Sequence, residues 1–406
     1  MAQARRVGTV AALGLAQTLA WASSYYLPAM LAAPMAQELG VSTPTVFAAF
    51  SLALVVSALL GPYAGRSIDR WGGRPVLVGT NLVFALGLAG LAMAQGPVGL
   101  FAAWVILGVG MGSGLYEAAF AALVRLYGTD SRNAITGITL IAGFASTVGW
   151  PLSTLLEAHV GWRGTCLSWA LLHVVLGIPL NLRLPRAGAL PAVTTRPPVA
   201  DDAAAAERST RDVTRAAYLL AFVFAVTWFI STAMAAHLPR LLQASGASLS
   251  AAVAVGALVG PAQVVGRLLE FGLLRRVHPL LSARLAALMH PVGATLLVLF
   301  GGPAAAVFAV FHGAGNGILT IAKGTLPLVL FGPAGYGHRQ GLLMVPARIA
   351  QALAPWLFGV WLDRWGAASL WVSAALGLTV FGALLMLPRM AAGGSSQHTA
   401  AVNSST

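Results

Sequence analysis

The sequence predicts an all-α membrane protein with twelve transmembrane helices, arranged as two pseudo-symmetric six-helix bundles. Three observations predict this fold: an apolar composition, a series of uncharged runs long enough to cross a bilayer, and landmarks that recur in the second half of the chain. Of the 406 residues, 58% are hydrophobic and only 9% are charged, whereas a soluble domain has about 25% charged residues. With a mean hydropathy of +0.81, the chain is expected to be solvated by lipid.

The uncharged runs give the number of helices. A helix needs about 20 apolar residues to cross about 30 Å of hydrocarbon. Runs of this size lie at 7–37, 39–65, 75–116, 133–156, 164–182, 216–239, 241–266, 285–322, 338–361 and 365–388. The run 338–361 is interrupted in its middle by Arg348. The runs 75–116 and 285–322 are each long enough for two helices and each break at a Gly-Pro turn, so the total is twelve.

The second half of the chain repeats landmarks of the first half in the same order and at nearly one offset. The recurring pairs are Gly112-Ser113-Gly114 with Gly315-Asn316-Gly317, Tyr127-Gly128 with Phe331-Gly332, and Pro151 with Pro355. Each match alone carries little information. Together they indicate a duplicated six-helix unit, which is typical of transporters built from parallel repeats.

A segment of different composition separates the two repeats. Residues 185–214 are rich in proline and alanine, and such a composition cannot bury a core, so we predict a cytoplasmic linker there. The N-terminal six-helix half then covers 1–184 and the C-terminal six-helix half covers 215–389. The last residues, 390–406, are predicted to be a disordered cytoplasmic tail.

The basic residues are distributed unevenly across the predicted membrane. The chain carries 24 Lys and Arg against 11 Asp and Glu, a formal charge of +13 that in a soluble protein would suggest a nucleic-acid partner. Here most of them fall on the side of the two termini, and only Arg163, Arg240 and Arg364 fall on the opposite side. The positive-inside rule therefore predicts that both termini are cytoplasmic, and no nucleic-acid partner is needed to explain the charge.

Two further features of composition bound the function. Cys166 is the single cysteine, so neither a disulfide framework nor a multi-cysteine metal site can form within the chain, and no cofactor is predicted. The use of arginine and alanine with a single lysine, Lys323, indicates a GC-rich bacterial genome. We therefore expect a multi-pass monomer of the bacterial cytoplasmic (inner) membrane, with the lipid bilayer as its surroundings.

The loop after the second helix carries a recognisable motif. Residues 65–74 read Gly-Arg-Ser-Ile-Asp-Arg-Trp-Gly-Gly-Arg, which resembles the G-x-x-x-D-R-x-G-R/K signature of the major facilitator superfamily. The resemblance covers roughly residues 8–388. It implies that these residues hold the cytoplasmic ends of helices together and gate alternating access, the matching positions being Gly65, Asp69, Arg70, Gly72 and Arg74. The alternative is an ordinary solvated charged loop.

A narrower resemblance is to the monocarboxylate and oxalate/formate carriers. Gly266-Arg267 on helix 8 is similar to a Gly-Arg pair of that branch, and Arg348 is similar to a cation that the oxalate carriers place in helix 11. Trp21 and Tyr25 are similar to its W-x-x-x-Y arrangement on helix 1. The resemblance implies that Arg267 binds a substrate carboxylate. Two features differ, since helix 1 lacks an acidic-glycine pattern and the loop 273–278 lacks the Asp of the motif.

Four ionisable residues are predicted to lie near the middle of the membrane. Glu117, Arg267 and Arg348 each lie eight or nine residues from a charge at the cytoplasmic end of their helix, which at 1.5 Å per residue is about 12–14 Å. Lys323 lies at a similar distance from the end of its helix. Because an ionisable side chain at this depth costs several kcal/mol, it needs a partner, water or a function.

One carboxylate and three cations in a central cavity leave an excess of positive charge. We expect an anionic substrate held by Arg267, Arg348 and Lys323, because a guanidinium grips a carboxylate with two parallel hydrogen bonds. Glu117 is the candidate proton-coupling residue, since carboxylates at membrane depth are typical of proton relays. The prediction is a secondary active transporter of a small organic anion, monocarboxylate-like and proton-coupled, that works by alternating access.

Each charge also has a purely structural explanation. Arg267 could pair with Glu270, three residues further along the same helix face. Lys323 and Arg348 could snorkel, or cap carbonyl groups freed near the prolines of their helices. Glu117 could be a fixed counter-ion for one of these cations instead of a proton carrier.

Three polar or aromatic residues at similar depth complete the predicted substrate site. Asn316 lies between two glycines of helix 10, which would let its amide face a cavity. Tyr25 on helix 1 and Tyr116 beside Glu117 could line the same cavity. For the two tyrosines, simple packing or anchoring at the membrane interface is the alternative.

Two rival functions fit parts of the sequence. A proton-driven exporter of drugs or metabolites is the alternative within transport, but the glycine-rich stretch of helix 5 from Gly143 to Pro151 only partly resembles the exporter motif. An enzyme would need a nucleophile with its base or clustered metal ligands, and the sequence has no HExxH, no paired intramembrane carboxylates and no Cys-His set. Transport of a small anion with protons is therefore preferred.

Overall fold

The computed structural model describes residues 2–186, 203–274 and 277–387. Every regular element in these ranges is helical. The α-helices, α1 to α16 in chain order, span Ala2–Ser23, Leu27–Leu39, Thr43–Trp71, Gly73–Met93, Pro97–Gly114, Tyr116–Tyr127, Arg132–Ala142, Ala145–Leu172, Ile178–Leu182, Ala203–Ala244, Leu249–Gly256, Val259–Gly272, Pro279–Phe300, Ala305–Phe331, Tyr336–Trp365 and Ser369–Leu385.

Within the described residues these helices form twelve passes. Eight helical stretches, some of them with short breaks inside, are long and apolar enough to cross a membrane. Of these, Pro97–Leu182 has 86 residues and holds three passes, and Tyr336–Leu385 has 50 residues and holds two. A further pass consists of α1 and α2, which a break at 24–26 separates. The predicted fold of two six-helix halves is confirmed, with α1 to α9 in the first half and α10 to α16 in the second.

The segment between the halves is helical at its end. α10 begins at Ala203, so residues 203–214 of the predicted linker extend the first helix of the second half. Residues 187–202 of that linker, and the predicted tail 390–406, lie outside the described residues. The domain limits given above therefore stay predictions.

Several passes are interrupted part-way through the bundle. α5 ends at Gly114 and α6 begins at Tyr116, because Leu115 between them has an extended backbone with ψ −165°. Breaks also separate α7 from α8 at 143–144 and α11 from α12 at 257–258. Irregular backbone at membrane depth is tolerated where it is buried in protein or lines a cavity. These breaks place polar backbone and side chains in the centre of the protein.

The two halves meet on one side of the bundle. The end of α3, the start of α4 and the start of α15 lie on this side, which we call the Asp69 side. Here α3 and α15 approach so closely that a Cβ on Gly65 would collide with the carbonyl of Gly337. On the opposite side, the ion pairs Glu38–Arg163 and Arg240–Asp363 each stay within one half. The described contacts between the halves therefore run from the Asp69 side to mid-depth.

Candidate functional site: a charged cluster at mid-depth and the contact at Asp69

An ion pair joins the two halves at the centre of the protein. Glu117 lies in the first turn of α6, where the helix dipole favours a carboxylate. Its Oε2 accepts a hydrogen bond from Nη2 of Arg348 on α15 at 2.9 Å, and the Arg348 residue is only 3% exposed. Arg348 Nη1 donates to Gln351 Oε1 at 3.1 Å, and Gln351 Nε2 donates to the Tyr25 hydroxyl at 2.9 Å. Four side chains from three passes thus form one chain of hydrogen bonds.

Lys323 lies beside this chain without an anionic partner. Its Nζ is 3.5 Å from the centroid of the Trp228 ring, and the guanidinium carbon of Arg348 is 5.6 Å from the same centroid. The Lys323 residue is 6% exposed, and among the described residues no carboxylate comes within ion-pair distance of it. A desolvated ammonium gains from the face of an aromatic ring, but the ring does not neutralise its charge. The cluster therefore keeps an excess of positive charge.

Arg267 crosses from the second half to a break in the first half. Its Nη1 donates to the Thr139 carbonyl at 3.2 Å, and its Nη2 lies 3.5 Å from Gln263 Oε1. A Cβ on Gly143 would collide with Nη1, so the guanidinium in its present position packs directly on this glycine of the break between α7 and α8. Within the described part of the chain, Arg267 Nε is buried with no hydrogen-bond partner. Arg267 thus has donor capacity left for a ligand.

Aromatic rings surround the charged groups. The Trp21 ring is central, with its centroid 5.2 Å from Tyr25, 4.9 Å from Tyr116 and 6.5 Å from Trp228. Tyr116 in turn stacks on Phe120 at 5.4 Å. The two tyrosines that the sequence nominated therefore lie beside the cluster. These rings give the site an apolar wall next to its cations.

Asn316 lies in a different place from the other predicted ligands. It lines a small cavity inside the second half, together with His290, His312 and Thr227. None of its described contacts reaches Glu117 or Arg348. The structure therefore brings together five of the predicted site residues, which are Glu117, Lys323, Arg348, Tyr25 and Tyr116. Arg267 lies close to these five, and Asn316 lies apart from them.

The motif on the Asp69 side closes the space between α3 and α15. Both carboxylate oxygens of Asp69 accept backbone hydrogen bonds at the start of α15, from Gly337 N–H at 2.9 Å and from His338 N–H at 2.8 Å. His338 Nδ1 lies 3.1 Å from the Pro62 carbonyl, and its Nε2 lies 3.3 Å from Arg66. The carboxylate thus caps the N-terminus of a helix of the other half.

The other predicted gating residues have local roles in this conformation. The Arg70 guanidinium lies over the neighbouring Trp71 ring, 5.6 Å from its centroid. Gly72 has φ 84°, a value that favours glycine, and it turns α3 into α4. Arg74 lines a surface groove next to Trp71. Arg125, which the motif does not include, donates to the Asp69 carbonyl at 3.2 Å.

A second contact between the halves lies at the pseudo-symmetric position. Arg132 at the start of α7 donates through Nη2 to Glu270 Oε1 at 3.0 Å, and through Nη1 to the Val277 carbonyl at 3.2 Å. Glu270 therefore does not pair with Arg267 on its own helix, which was the alternative considered from the sequence. The sequence contained both partners, but it gave no signal that two residues so far apart in the chain would meet.

Sequence reasoning did not nominate three residues that the structure places at these sites. Gln351 and Trp21 belong to the central cluster, and His338 belongs to the contact between Asp69 and α15. A polar residue one turn from Arg348 in an apolar helix, and the W-x-x-x-Y pattern with Tyr25, were the available signals for the first two.

Comparisons with known proteins agree with this architecture. Residues 13–355 match the family model of the Major Facilitator Superfamily. Human monocarboxylate transporter 11 is 28% identical over 84% of this chain and 74% of its own length. The oxalate:formate antiporter of Oxalobacter formigenes is 29% identical over 38% of this chain and 36% of its own length. The crystal structure of the human organic anion transporter MFSD10 superposes with a TM-score of 0.68 at 20% identity, covering 94% of this chain and 99% of that one. The chain belongs to the Major Facilitator Superfamily.

Proposed function

We propose that this protein is a secondary active transporter of a small, monocarboxylate-like organic anion, coupled to protons and working by alternating access. The observation that carries the proposal is the charge balance at mid-depth. Three buried cations, Arg267, Lys323 and Arg348, lie at this depth with one carboxylate, Glu117, which pairs with Arg348. An anion is the ligand that brings such a site to balance.

The geometry suggests how substrate and proton are coupled. A substrate carboxylate competes with Glu117 for the guanidinium of Arg348, since both need the same donors. Protonation of Glu117 removes its charge and releases Arg348 to the substrate. Lys323 supplies a second cation, and the rings of Trp21 and Trp228 cover the apolar part of a small acid. Binding of the anion then favours binding of the proton, as a symporter requires.

The sidedness of the protein follows from its charges. We assign the Asp69 side to the cytoplasm of a bacterium and both termini to that same side, because most of the arginines lie there. The conformation described above is then closed towards the cytoplasm. Opening on that side requires the halves to separate at Asp69 and α15, and at Arg132 and Glu270. In this proposal the protein is a monomer, with its two six-helix halves at 1–184 and 215–389.

The relatives support the substrate class. One is named a monocarboxylate transporter and another an oxalate:formate antiporter, and both names describe small carboxylates. The extra cations at the centre of this chain are consistent with a ligand of that kind.

Uptake into proteoliposomes tests the proposal. A panel of labelled small carboxylates is offered under an imposed pH gradient, to the wild type and to Arg267→Gln and Lys323→Gln. We expect gradient-driven uptake of at least one carboxylate, lost in both variants because each removes a cation from the site. Arg240→Gln, which alters an exposed ion pair on the opposite side, is the matched control and should transport normally. If no carboxylate is transported, or if both site variants behave as the wild type, the exporter of drugs or metabolites becomes the preferred function.

A further inference from the structure

One carbonyl of the helix that carries Lys323 lacks its regular partner. Pro327 lies inside α14. In an α-helix each carbonyl accepts a hydrogen bond from the N–H four residues later, and proline has no N–H to donate. The carbonyl without this bond is therefore that of Lys323, whose ammonium lies over the Trp228 ring in the charged cluster. Lys323 is buried, and an unpaired carbonyl in such a place costs free energy.

A side chain of the neighbouring helix supplies the missing donor. Gln340 on α15 donates through Nε2 to the Lys323 carbonyl at 3.1 Å, and the residue is only 1% exposed. One turn earlier on the same face, the Tyr336 hydroxyl donates to the Gly324 carbonyl at 2.7 Å. The two carbonyls differ in what else they can bond. The Gly324 carbonyl has the N–H of Leu328 as its regular partner in the helix, whereas the Lys323 carbonyl depends on Gln340.

This single bond explains why an amide is buried at position 340. Within the described ranges of the chain, Gln340 Oε1 is buried with no hydrogen-bond partner. Such an atom lowers stability, and an unbranched apolar side chain such as methionine would avoid the loss. The glutamine therefore contributes through the donor Nε2 and not through its packing.

Both ends of the bond lie on backbone that has little freedom to move. The first turn of α15, from which Gln340 projects, is held by the Asp69 carboxylate through two of its N–H groups. On α14, Gly324 packs so closely on the first half that a Cβ there would collide with the Phe120 ring. The bond from Gln340 thus joins two fixed segments at the point where Lys323 leaves its helix.

We propose that Gln340 is a positioning residue of the substrate site, and that it acts by pairing the carbonyl that Pro327 leaves free. With this carbonyl paired, the turn of α14 that carries Lys323 keeps one backbone geometry, and the ammonium stays 3.5 Å from the centroid of the Trp228 ring. Without Nε2 the turn rearranges to bring its carbonyl to another donor, and the ammonium leaves the ring. The part of this inference that concerns substrate binding rests on the proposed function.

The single lysine makes this position measurable without transport. Lysine labelled with 13C at Cε gives one side-chain NMR signal from the whole protein in lipid nanodiscs, and the face of an aromatic ring shifts the signal of a group above it upfield. The Trp228→Leu variant shows where the signal lies without the ring. We expect Gln340→Met to move the signal most of the way to that position, because the Lys323 carbonyl is left unpaired. A signal that stays at its wild-type position would overturn the proposal.

A second substitution tests whether the freed carbonyl is the cause. When Pro327→Ala is combined with Gln340→Met, the alanine N–H pairs the Lys323 carbonyl again, so the signal should return to its wild-type position. Tyr336→Phe is the matched control, because it removes a donor of the same turn from a carbonyl that keeps its backbone partner, and the signal should stay in place. No recovery in the double variant, or an equal shift in Tyr336→Phe, would also overturn the proposal.

Uptake kinetics test the role in the substrate site. For a labelled carboxylate that the wild type transports, Gln340→Met should raise KM about 2-fold to 10-fold, the effect of one neutral hydrogen bond, with little change in turnover. Adding Pro327→Ala should restore KM. A wild-type KM beside a displaced lysine signal would refute this role. If the wild type itself moves no carboxylate, the proposed function fails, while the lysine signal still decides whether Gln340 positions Lys323.

Discussion

The two contacts that close the Asp69 side occupy equivalent places in the repeat, yet they are built differently. In the first, the Asp69 carboxylate at the end of α3 binds two backbone N–H groups at the start of α15. In the second, the Glu270 carboxylate on α12 binds the side chain of Arg132 at the start of α7. In the first contact a carboxylate on the second pass binds the start of the eleventh pass. In the second contact a carboxylate on the eighth pass binds the start of the fifth, as the pseudo-symmetry requires.

This difference gives the two contacts different sensitivities. The partners of Asp69 are fixed backbone donors at a helix N-terminus, where the helix dipole adds to the attraction. The partner of Glu270 is a flexible arginine whose side chain is 22% exposed, so that water and salt weaken the pair. We expect the Asp69 contact to contribute more to the closed state, and three substitutions test this comparison.

The largest effect is expected from Gly65→Ala. A Cβ at this position would collide with the backbone of Gly337, which cannot move without moving α15, so the closed contact should be lost almost completely. Spin labels at the exposed positions Thr129 and Ala334, one on each half, report the opening as an increase in their distance by pulsed EPR. Gly61→Ala is the matched control.

The control differs only in the space available. On Gly61 a Cβ would come no closer than 3.9 Å to Gly341, an ordinary contact, so the distance distribution should match that of the wild type. Equal opening in both variants would mean that helix propensity, and not the close approach of α3 and α15, sets the closed state.

An intermediate effect is expected from Asp69→Asn. The amide keeps the shape of the carboxylate but loses its charge and one of its two acceptor atoms, a loss of about 1–2 kcal/mol, which shifts the population about 5-fold to 30-fold towards the open state. The same label pair measures the shift. Arg70→Gln should have little effect, because Arg70 lies on Trp71 within its own half. A larger effect of Arg70→Gln than of Asp69→Asn would mean that Asp69 is not the main contact between α3 and α15.

The smallest effect is expected from Glu270→Gln. Removing the charge leaves Arg132 free to reach water, so the closed state should lose about 1 kcal/mol or less. The population of the open state should also depend less on salt concentration, because the ion pair that salt screens has been removed. Arg132→Gln should be more disruptive than Glu270→Gln, because it leaves a carboxylate that is 4% exposed without its cation. If Glu270→Gln opens the protein more than Asp69→Asn, the order of the two contacts is wrong.

The sequence predicted the elements better than their contacts. Twelve passes in two halves follow from composition and from the length of a bilayer-crossing helix, and they are confirmed. The sequence could also predict that Glu117, Lys323 and Arg348 lie at a similar depth, because position along a helix fixes depth. The sequence could not predict which of the charged residues pair with one another. Glu270 had a possible partner three residues away in Arg267, and it instead binds Arg132 of the other half.

Two matching stretches of the repeat lie in different surroundings for a physical reason. Gly112-Ser113-Gly114 precedes a break in its pass, and the matching stretch around Asn316 lies in the unbroken α14. Because the neighbours of the two passes differ, equivalent sequences acquire different surroundings. Asn316 lines the cavity beside His290 and His312 and does not reach the charged cluster.

Composition and residue spacing are enough to show that this chain is lipid-solvated, that it is duplicated, and that it has charges at mid-depth, since hydrophobicity and helix rise are properties of the chain alone. Three contacts depend on the packing of the folded chain: Glu117 binds Arg348, Arg267 reaches the break at Gly143, and Asp69 caps α15. These contacts join residues far apart in the chain, and their formation depends on how the two halves pack, which local pattern does not encode.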